Sequence, residues 1–564
     1  MKKQMDYRGM AFYQIWVRSF CDGNGDGIGD LYGVYDKLDY IRSLGVDGIW
    51  FSPLYPSPNA DYGYDISDYK NIHPDYGTLE QFRKVLDRAH ELGLKVLMDL
   101  VINHTSDEHP WFLESCKGKD NPYSDYYIWR DPIFKGETRL PPNNWFSQFE
   151  GLAWEYNETR EQYYLHVFAR KQPDLNMDNP KVREEVKDIM RFWLDMGVDG
   201  FREDVITFIS KHHDLPDGNP FLPAINGLPY YMDGPNLMKY LKEFREVAKE
   251  YGAVQIGEAP FTTVKKALLY TSGPEKVLDM MIEFDTMTAD CFLTEYVPHR
   301  FSLRKYKRAV SRWQHALAGK SWNALYLENH DHPRVIDRYG SRKYWRESGT
   351  MLAASYLFLQ GTPFIYQGQE IGMTNIRLRS IDQYNDVASR NAYHSFFTWE
   401  SEKKRIRRIH MASRDSARTP VQWTGEKYAG FSPVKPWFAV NPDYRRINVQ
   451  AEEKDTDSIL WFYRRCLALR KSRKALLKGK YREYDRRSPK LFMYERYTKD
   501  EKILVICSFS DKPLRFSLPR TWEKRRAEEK LRLLLDNYPG QARPEHLRPY
   551  EVQVLQAETE KKDC

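Results

Sequence analysis

Eight short apolar runs of strand character recur along the chain. They are FYQIWVRSF from Phe12, VDGIWFSPL from Val46, KVLMDLVIN from Lys95, VDGFREDV from Val198, VQIGEA from Val254, VLDMMIEF from Val277, NALYLEN from Asn323 and TPFIYQGQE from Thr362. Helical patterns separate several of them, at Thr78 to Leu92, Pro180 to Met196, Pro235 to Tyr251 and Tyr344 to Leu359. Strands alternating with helices predict parallel β/α units, and eight such units predict an α/β fold closed as a (β/α)8 TIM barrel. An open doubly wound sheet is the alternative. It is disfavoured because no GxGxxG turn follows the first run.

The pattern breaks in three places. Residues 105–172, after the third run, are too many for one crossover and rich in Trp, Tyr, Pro and Asn (PPNNWF, AWEYN, YYLHVF), which predicts a small inserted domain. A second excursion, about 372–430, follows the eighth run, and a helix at Ser458 to Ser472 comes after it. From about Lys480 short alternating runs (KLFMYERYT, EKILVICSFS) predict a C-terminal antiparallel β-sandwich over 479–564. The barrel is thus expected over 1–104 and 173–478.

Composition narrows the function classes. With 564 residues, 41% hydrophobic, the chain can bury a large core. The net charge is only +7 and both signs are interspersed, which argues against nucleic acid as a partner. The basic patches Arg304 to Arg308 and Lys403 to Arg408 read as solvated helix faces, with contact to a phosphate as the alternative for the first. Six scattered cysteines without CxxC spacing suggest reduced thiols and a cytoplasmic location. The start MKKQMDYRGM has no apolar signal region. The longest apolar stretch, Met351 to Tyr366, is interrupted by Gln360, Gly361 and Pro363, so no membrane span is expected. The expected state is a monomer or weak homo-oligomer.

Three runs end in acids: Asp204 in GFREDV, Glu258 in QIGEA and Asp331 in ENHD. Carboxylates at strand ends of one barrel project into one pocket, where repulsion and burial split their pKa values. One can then attack while another donates a proton, which is the equipment for breaking a glycosidic bond. His104, Arg202 and His330 fall at the same ends. HExxH spacing is absent, so the histidines are not placed as zinc ligands. In DGNGDGIGD, Asp22, Asn24, Asp26, the Ile28 carbonyl and Asp30 follow the 1, 3, 5, 7, 9 spacing of a calcium loop. Gly33 stands where an EF-hand has its glutamate, so a bare glycine-rich turn is the competing reading.

Nine segments in order carry a resemblance: FYQIWVRSF-DGNGDGIGD, DYGYDISDY, DLVINHTSDEHPWF, QPDLN, GFREDV, GEA, ENHDHPR, GTPFIYQGQEIGMTN and SRDSARTPVQW. On these the chain resembles family thirteen of the glycoside hydrolases, the α-amylase clan. Within it the similarity is to the branch of oligo-1,6-glucosidases, dextran glucosidases and trehalose-6-phosphate hydrolases. The resemblance implies Asp204 as nucleophile, Glu258 as general acid and then base, and Asp331 as transition-state stabiliser in a retaining mechanism. It implies that Arg202 keeps the nucleophile ionised, that His104 and His330 hold the glucose of subsite −1, and that Tyr64 stacks on it. Asp61 and Arg414 would grip the 4-hydroxyl and close the pocket, making the enzyme exo-acting, with Arg418 a further pocket residue. The related glucosidases use the DGNGDGIGD loop for a structural Ca²⁺, in whose place Mg²⁺ could stand; no organic cofactor is implied.

Val205, after the nucleophile, accompanies α-1,6 specificity in this branch. The expected substrates are isomaltose and short isomalto-oligosaccharides. The alternatives are trehalose-6-phosphate hydrolysis and an α-1,4-active or transglycosylating, sucrose-isomerase-like activity. The non-catalytic relatives attached to amino-acid transporters are disfavoured, since this chain keeps the acids. Three departures stand out: Glu203 where the branch has an apolar residue, Met177 for a tryptophan and Thr286 for a histidine, the latter two expected at the pocket's edge. Glu203 should point away from Asp204 and needs a partner among the helices. The RLDRD loop of sucrose isomerases is absent.

Overall fold

The structure is a computed structural model. It describes residues 4–149, 151–222, 224–292, 294–395, 397–528, 530–538 and 545–557. All eight apolar runs contain a strand: β1 (Phe12–Ile15), β2 (Gly48–Phe51), β3 (Lys95–Leu100), β4 (Gly200–Glu203), β5 (Val254–Glu258), β6 (Met280–Ile282), β7 (Ala324–Leu325) and β8 (Thr362–Tyr366). They pair in parallel in the order β6-β5-β4-β3-β2-β1-β8-β7. A parallel bridge between Met281 and Asn323 closes the circle. The last gap is thin because β7 is only two residues long, the chain turning inward at ENHD.

The helices obey local signals. Helix α1 (Leu79–Glu91) opens with a Thr78/Gln81 capping box. Helix α2 (Pro180–Met196) has Asn179 as N-cap, proline in its first turn and Gly197 in the left-handed conformation at its end. Helix α3 (Leu237–Tyr251) starts two residues after Pro235 and stops at left-handed Gly252. Helices α4 (Val264–Thr271), α5 (Leu303–Leu317), α6 (Trp345–Leu357) and α7 (Ile459–Ser472) complete the outer ring.

Inside the barrel, side chains two apart along a strand share a face. The lower layer is apolar, with Phe12, Trp50, Leu97, Ile256 and Phe364 in one cluster; the Phe12 and Phe364 rings stack at 5.4 Å. Two residues further along, the same faces carry Gln14, Ser52, Asp99, Arg202 and Glu258, all buried. One interior thus changes from hydrocarbon to charge within a single step, and it does so at the carboxyl ends of the strands.

The stretch after β3 forms a three-stranded antiparallel sheet (Trp129–Arg130, Gln162–Leu165 and Trp154–Asn157) and an exposed hairpin (Ile133–Lys135 with Thr138–Leu140). His104 and Asp174 pair as an antiparallel bridge at its base. The excursion after β8 carries helices Val387–Ser395 and Glu402–Ala412. The C-terminal strands β9 (Lys480–Tyr484), β10 (Leu491–Tyr497), β11 (Lys502–Ser508), β12 (Leu531–Asp536) and β13 (Val552–Ala557) form an antiparallel sheet in the order β9-β10-β11-β13-β12. Phe492, Tyr494, Val505 and Cys507 join the main barrel core. Met493, Leu504 and Ile506 face Phe516, Leu518, Trp522 and Leu547. Among the described residues the second layer of this sandwich is a two-stranded ribbon (Leu514–Arg515 with His546–Leu547) and a short helix (Arg520–Ala527).

Five cysteines are free thiols; Cys564 lies outside the described residues. Among the described residues no helix is long and apolar enough to cross a membrane. The Lys403 to Arg408 patch lies on the Glu402–Ala412 helix, with its exposed positions in solvent. The first basic patch is not uniformly solvated: Lys307 is 1% exposed and donates to the carbonyls of Asp485 and Leu491, tying α5 to the C-terminal sheet.

Glu203 does turn away from the pocket, but its partner lies on the neighbouring strand β5 and not on a helix: Gln255, whose Nε2 donates to Oε1 at 2.7 Å. Its Oε2 finds no hydrogen-bond partner. Burial pushes this carboxyl from 4.5 up to about 7, against the pull of Gln255 and Arg245. The folded protein thus binds the proton more tightly than the unfolded chain, so stability falls as pH rises from about 4.5 to 7 and levels off above. The shift amounts to about 3 kcal/mol. Glu203→Gln should therefore gain in melting temperature over the wild type at pH 8, with the gain vanishing near pH 5. A difference independent of pH would exclude a protonated Glu203.

Candidate active site

The three acids that end apolar runs, Asp204, Glu258 and Asp331, all stand at the carboxyl end of the barrel. The chain leaves β4 at Glu203, presents Asp204 and turns sharply: Val205 is left-handed, with φ 34° and ψ 43°. That conformation is rare for a β-branched residue. It aims the Val205 N–H at Glu258 Oε2, 3.3 Å away at the end of β5.

Below them lies Arg202, fully buried, two residues before Asp204 on the same strand face. Its Nη1 lies 2.7 Å from Asp99 Oδ1 and 2.7 Å from Asp204 Oδ1. Its Nη2 contacts Glu258 Oε1. One guanidinium thus joins carboxylates from β3, β4 and β5.

A second arrangement centres on His330. Gln14 Nε2 lies 2.8 Å from its Nδ1, and the Tyr64 hydroxyl 2.5 Å from its Nε2. The Tyr64 ring stacks on the imidazole at 5.1 Å, and its hydroxyl donates to Asp99. His330 Nε2 also lies 3.0 Å from Asp331 Oδ2. Arg418 and Arg414 reach Asp331 Oδ1 at 3.1 and 3.3 Å. Arg414 continues to Asp61 at 2.9 Å. Gln172 bridges Asp61 and His104, 3.2 Å from each.

Charge explains the titration behaviour. Burial pushes the Asp204 carboxyl well above the usual range; Arg202 opposes this, while Glu258, Asp99 and Asp331 reinforce it. Arg202 is in contact, as anticipated, but one cation facing three acids does not by itself hold Asp204 low. At Asp331 the balance reverses. Burial would raise it, yet His330, Arg414 and Arg418 hold it well below the usual range. Burial lowers His104 to about 4, so its ring is neutral near pH 7.

These groups line a cavity of about 1110 Å³. Asp61, Tyr64, His104, Asp204, Val205, Glu258, Asp331 and Arg414 reach it, alongside Phe146, Phe149, Phe168, Phe208, Phe261, Phe284 and Phe292. Arg202, His330 and Arg418 sit behind that wall. Met177 and Thr286 do not line it: Met177 is core, and Thr286 bonds to Glu283. This corrects their expected place at the pocket's edge.

Two supporting acids escaped the sequence reading. Asp99 was visible as a lone acid in the apolar run KVLMDLVIN. Asp386, which holds Arg414 at 2.7 Å, gave no signal, because it comes from an irregular loop.

The DGNGDGIGD loop is outside the cavity. Asp22 accepts from the Gly25 and Gly27 amides, Asp26 from Ile28, and Asp30 from Gly23, Asn24 and Gly33. Gly27 is obligatory: its φ is +97°, and a Cβ would meet the Lys435 carbonyl at 2.6 Å. Oxygen donors alone suit a hard cation such as Ca²⁺. Among the described residues, however, no three His, Cys, Asp or Glu side chains gather as a metal cluster.

A (β/α)8 barrel with three acids converging at its strand ends is an arrangement that glycoside hydrolases use. Residues 14–479 match the family model described as "Alpha amylase, catalytic domain", and the chain belongs to that family. It is 46% identical to the oligo-1,6-glucosidase of Parageobacillus thermoglucosidasius, covering 96% of this chain and 97% of that one. It is 42% identical to the trehalose-6-phosphate hydrolase of Bacillus subtilis strain 168, covering 96% of each. Among solved structures it is similar to the isomaltulose synthase of Klebsiella sp. LX3, with a TM-score of 0.93 and 36% identity, covering 98% of this chain and 100% of that one.

If Glu258 repulsion helps to raise Asp204, then Glu258→Gln should move the acid limb of activity toward lower pH by roughly one unit. The readout is the first-turnover rate on an aryl α-glucoside, whose leaving group needs no protonation. An unmoved limb would assign the shift to burial and to Asp99 and Asp331.

Proposed function

We propose that this chain is an exo-acting, retaining α-glucosidase that removes glucose from the non-reducing end of isomaltose and short isomalto-oligosaccharides. The observation that carries the reading is the single Arg202 guanidinium in contact with both Asp204 and Glu258. Two carboxyls on one guanidinium suit the separation of about 5 Å used by retaining enzymes rather than the wider gap of inverting ones. Asp204 attacks the anomeric carbon while Glu258 protonates the departing oxygen; Glu258 then takes a proton from water as the glucosyl–Asp204 ester is cleaved. Asp331, held low by three cationic or hydrogen-bonding neighbours, stays ionised opposite the developing oxocarbenium charge. The Asp61–Arg414 pair supports the exo mode by walling off one end, and Tyr64 and His104 would hold the glucose there. Five free thiols suit a reducing, cytosolic setting.

Trehalose-6-phosphate hydrolysis is the second reading. A basic face favours it, since Lys305, Arg308 and Arg312 line the cavity. That face is partly neutralised, as Arg312 pairs with Asp285. The DGNGDGIGD loop is proposed to hold Ca²⁺ through Asp22, Asn24, Asp26, the Ile28 carbonyl and Asp30. It would then brace the first helical turns, remote from the chemistry.

Purified enzyme assayed on isomaltose, panose, maltose, sucrose and trehalose 6-phosphate should cleave the first two best. Glu258→Gln should lose roughly a thousandfold on each. Activity confined to trehalose 6-phosphate would replace the substrate assignment. Val205→Thr keeps β-branching and should lower the isomaltose to maltose ratio of kcat/KM severalfold; an unchanged ratio removes Val205 as the determinant. Chelation with EDTA should lower Tm by a few degrees, with Ca²⁺ restoring it. A Tm indifferent to both would rule out the ion.

A further inference from the structure

The cavity's walls are unequal. Asp61, His104, Asp331 and Arg414 close one end around a single sugar. Beside that end, after β6 and β7, stand Glu295 and His332, which make no contact with Asp61, His104 or Arg414. His332 follows Asp331 directly, is 4% exposed and lines the cavity. Its Nδ1 lies 2.5 Å from Glu295 Oε1. The ring is fixed by Phe284, edge-on at 5.5 Å, and by Tyr326, stacked at 6.2 Å. Its Nε2 is buried without a hydrogen-bond partner. Glu295 comes from the hairpin after β6 and also lines the cavity, its side chain 29% exposed.

A buried ring nitrogen left unpaired costs stability unless a ligand satisfies it. The position of this pair tells which ligand. The glycosidic oxygen must lie within hydrogen-bond reach of Glu258 on β5. The leaving group then extends away from the end closed by Asp61 and Arg414, and β6 and β7 are the next strands round the barrel. A carboxylate oriented by an imidazole is a strong acceptor for sugar hydroxyls.

We propose that Glu295 and His332 form the binding site for the leaving sugar. Glu295 accepts from its hydroxyls, while His332 fixes the Glu295 rotamer and presents Nε2 to a further hydroxyl. The pair acts on the leaving group and not on the glucose being transferred. This assignment rests on the α-glucosidase reading and adds to it a preference for neutral, polyhydroxylated leaving groups.

The test compares a disaccharide with an aryl α-glucoside, whose phenol offers no hydroxyls to the pair. Glu295→Gln, isosteric and uncharged, should lower kcat/KM on isomaltose by roughly ten- to a hundredfold, chiefly through KM. On 4-nitrophenyl α-glucoside it should change kcat/KM less than about threefold. His332→Gln should give a smaller loss with the same selectivity and serves as the second variant if the first folds poorly. Equal losses on both substrates would overturn the proposal, since the pair would then act through Asp331. No loss on isomaltose would overturn it as well. A wild type that spares isomaltose counts against the linkage, not this site; the comparison is then made with whichever disaccharide the enzyme cleaves.

Discussion

The buried guanidinium of Arg202 is the interaction on which the catalytic end of the barrel depends. Four ionisable groups from three strands meet there out of contact with water, and a lone carboxylate in that position would be too costly to keep charged. One arginine makes the assembly tolerable without neutralising it, because its single charge faces Asp99, Asp204 and Glu258. The surplus negative charge is the useful part. It raises the Asp204 carboxyl, while Asp331, a few ångströms from His330, Arg414 and Arg418, is held well below the usual carboxylate range. Two acids in one cavity acquire different characters from their neighbours alone.

That cluster could not be built without the apolar layer beneath it. Phe12, Trp50, Leu97, Ile256 and Phe364 fill the lower barrel and exclude water from below. The two-residue period of each strand then places the polar side chains directly above. A slip of one residue in any strand would turn both of its sets outward toward the helices, so the hydrophobic floor sets the register of the chemistry. Glu203 illustrates the opposite face: one residue from Asp204, it leaves the pocket altogether and settles against Gln255.

Much of this was legible in the sequence, for a physical reason. Strand runs and helix caps are local, and acids ending apolar runs on alternating faces are a local signal too, so Asp204, Glu258 and Arg202 could be placed from spacing alone. Asp99 carried the same signal. What stayed hidden is what long loops bring in. Asp386 and Gln172 come from irregular segments and Glu295 from a short hairpin outside the barrel, whose paths the barrel's periodicity does not encode, and the contacts of Lys307 with the C-terminal sheet span more than 170 residues. Met177 and Thr286 were misplaced for the same cause: their neighbours in space are set by packing rather than by pattern. The outer layer of the C-terminal sandwich, a two-stranded ribbon with a short helix, packs over Leu491, Met493, Leu504, Ile506 and Ala557.

Val205 joins the two halves of the cavity. Its left-handed backbone costs about 1–3 kcal/mol for a residue of this kind, and the surrounding cluster of Phe208, Trp145 and Tyr231 holds it in place. The turn serves the chemistry by directing the Val205 N–H at Glu258. The side chain meanwhile enters the cavity, where the leaving group must pass. A glycine would relax the turn and remove the steric filter together, so its effect on linkage preference would be uninterpretable. A threonine keeps the branching and the backbone demand, and changes only what the leaving group meets. In the proposed function, reaction and specificity would be coupled through this one backbone position, although the groups that perform them lie on different walls.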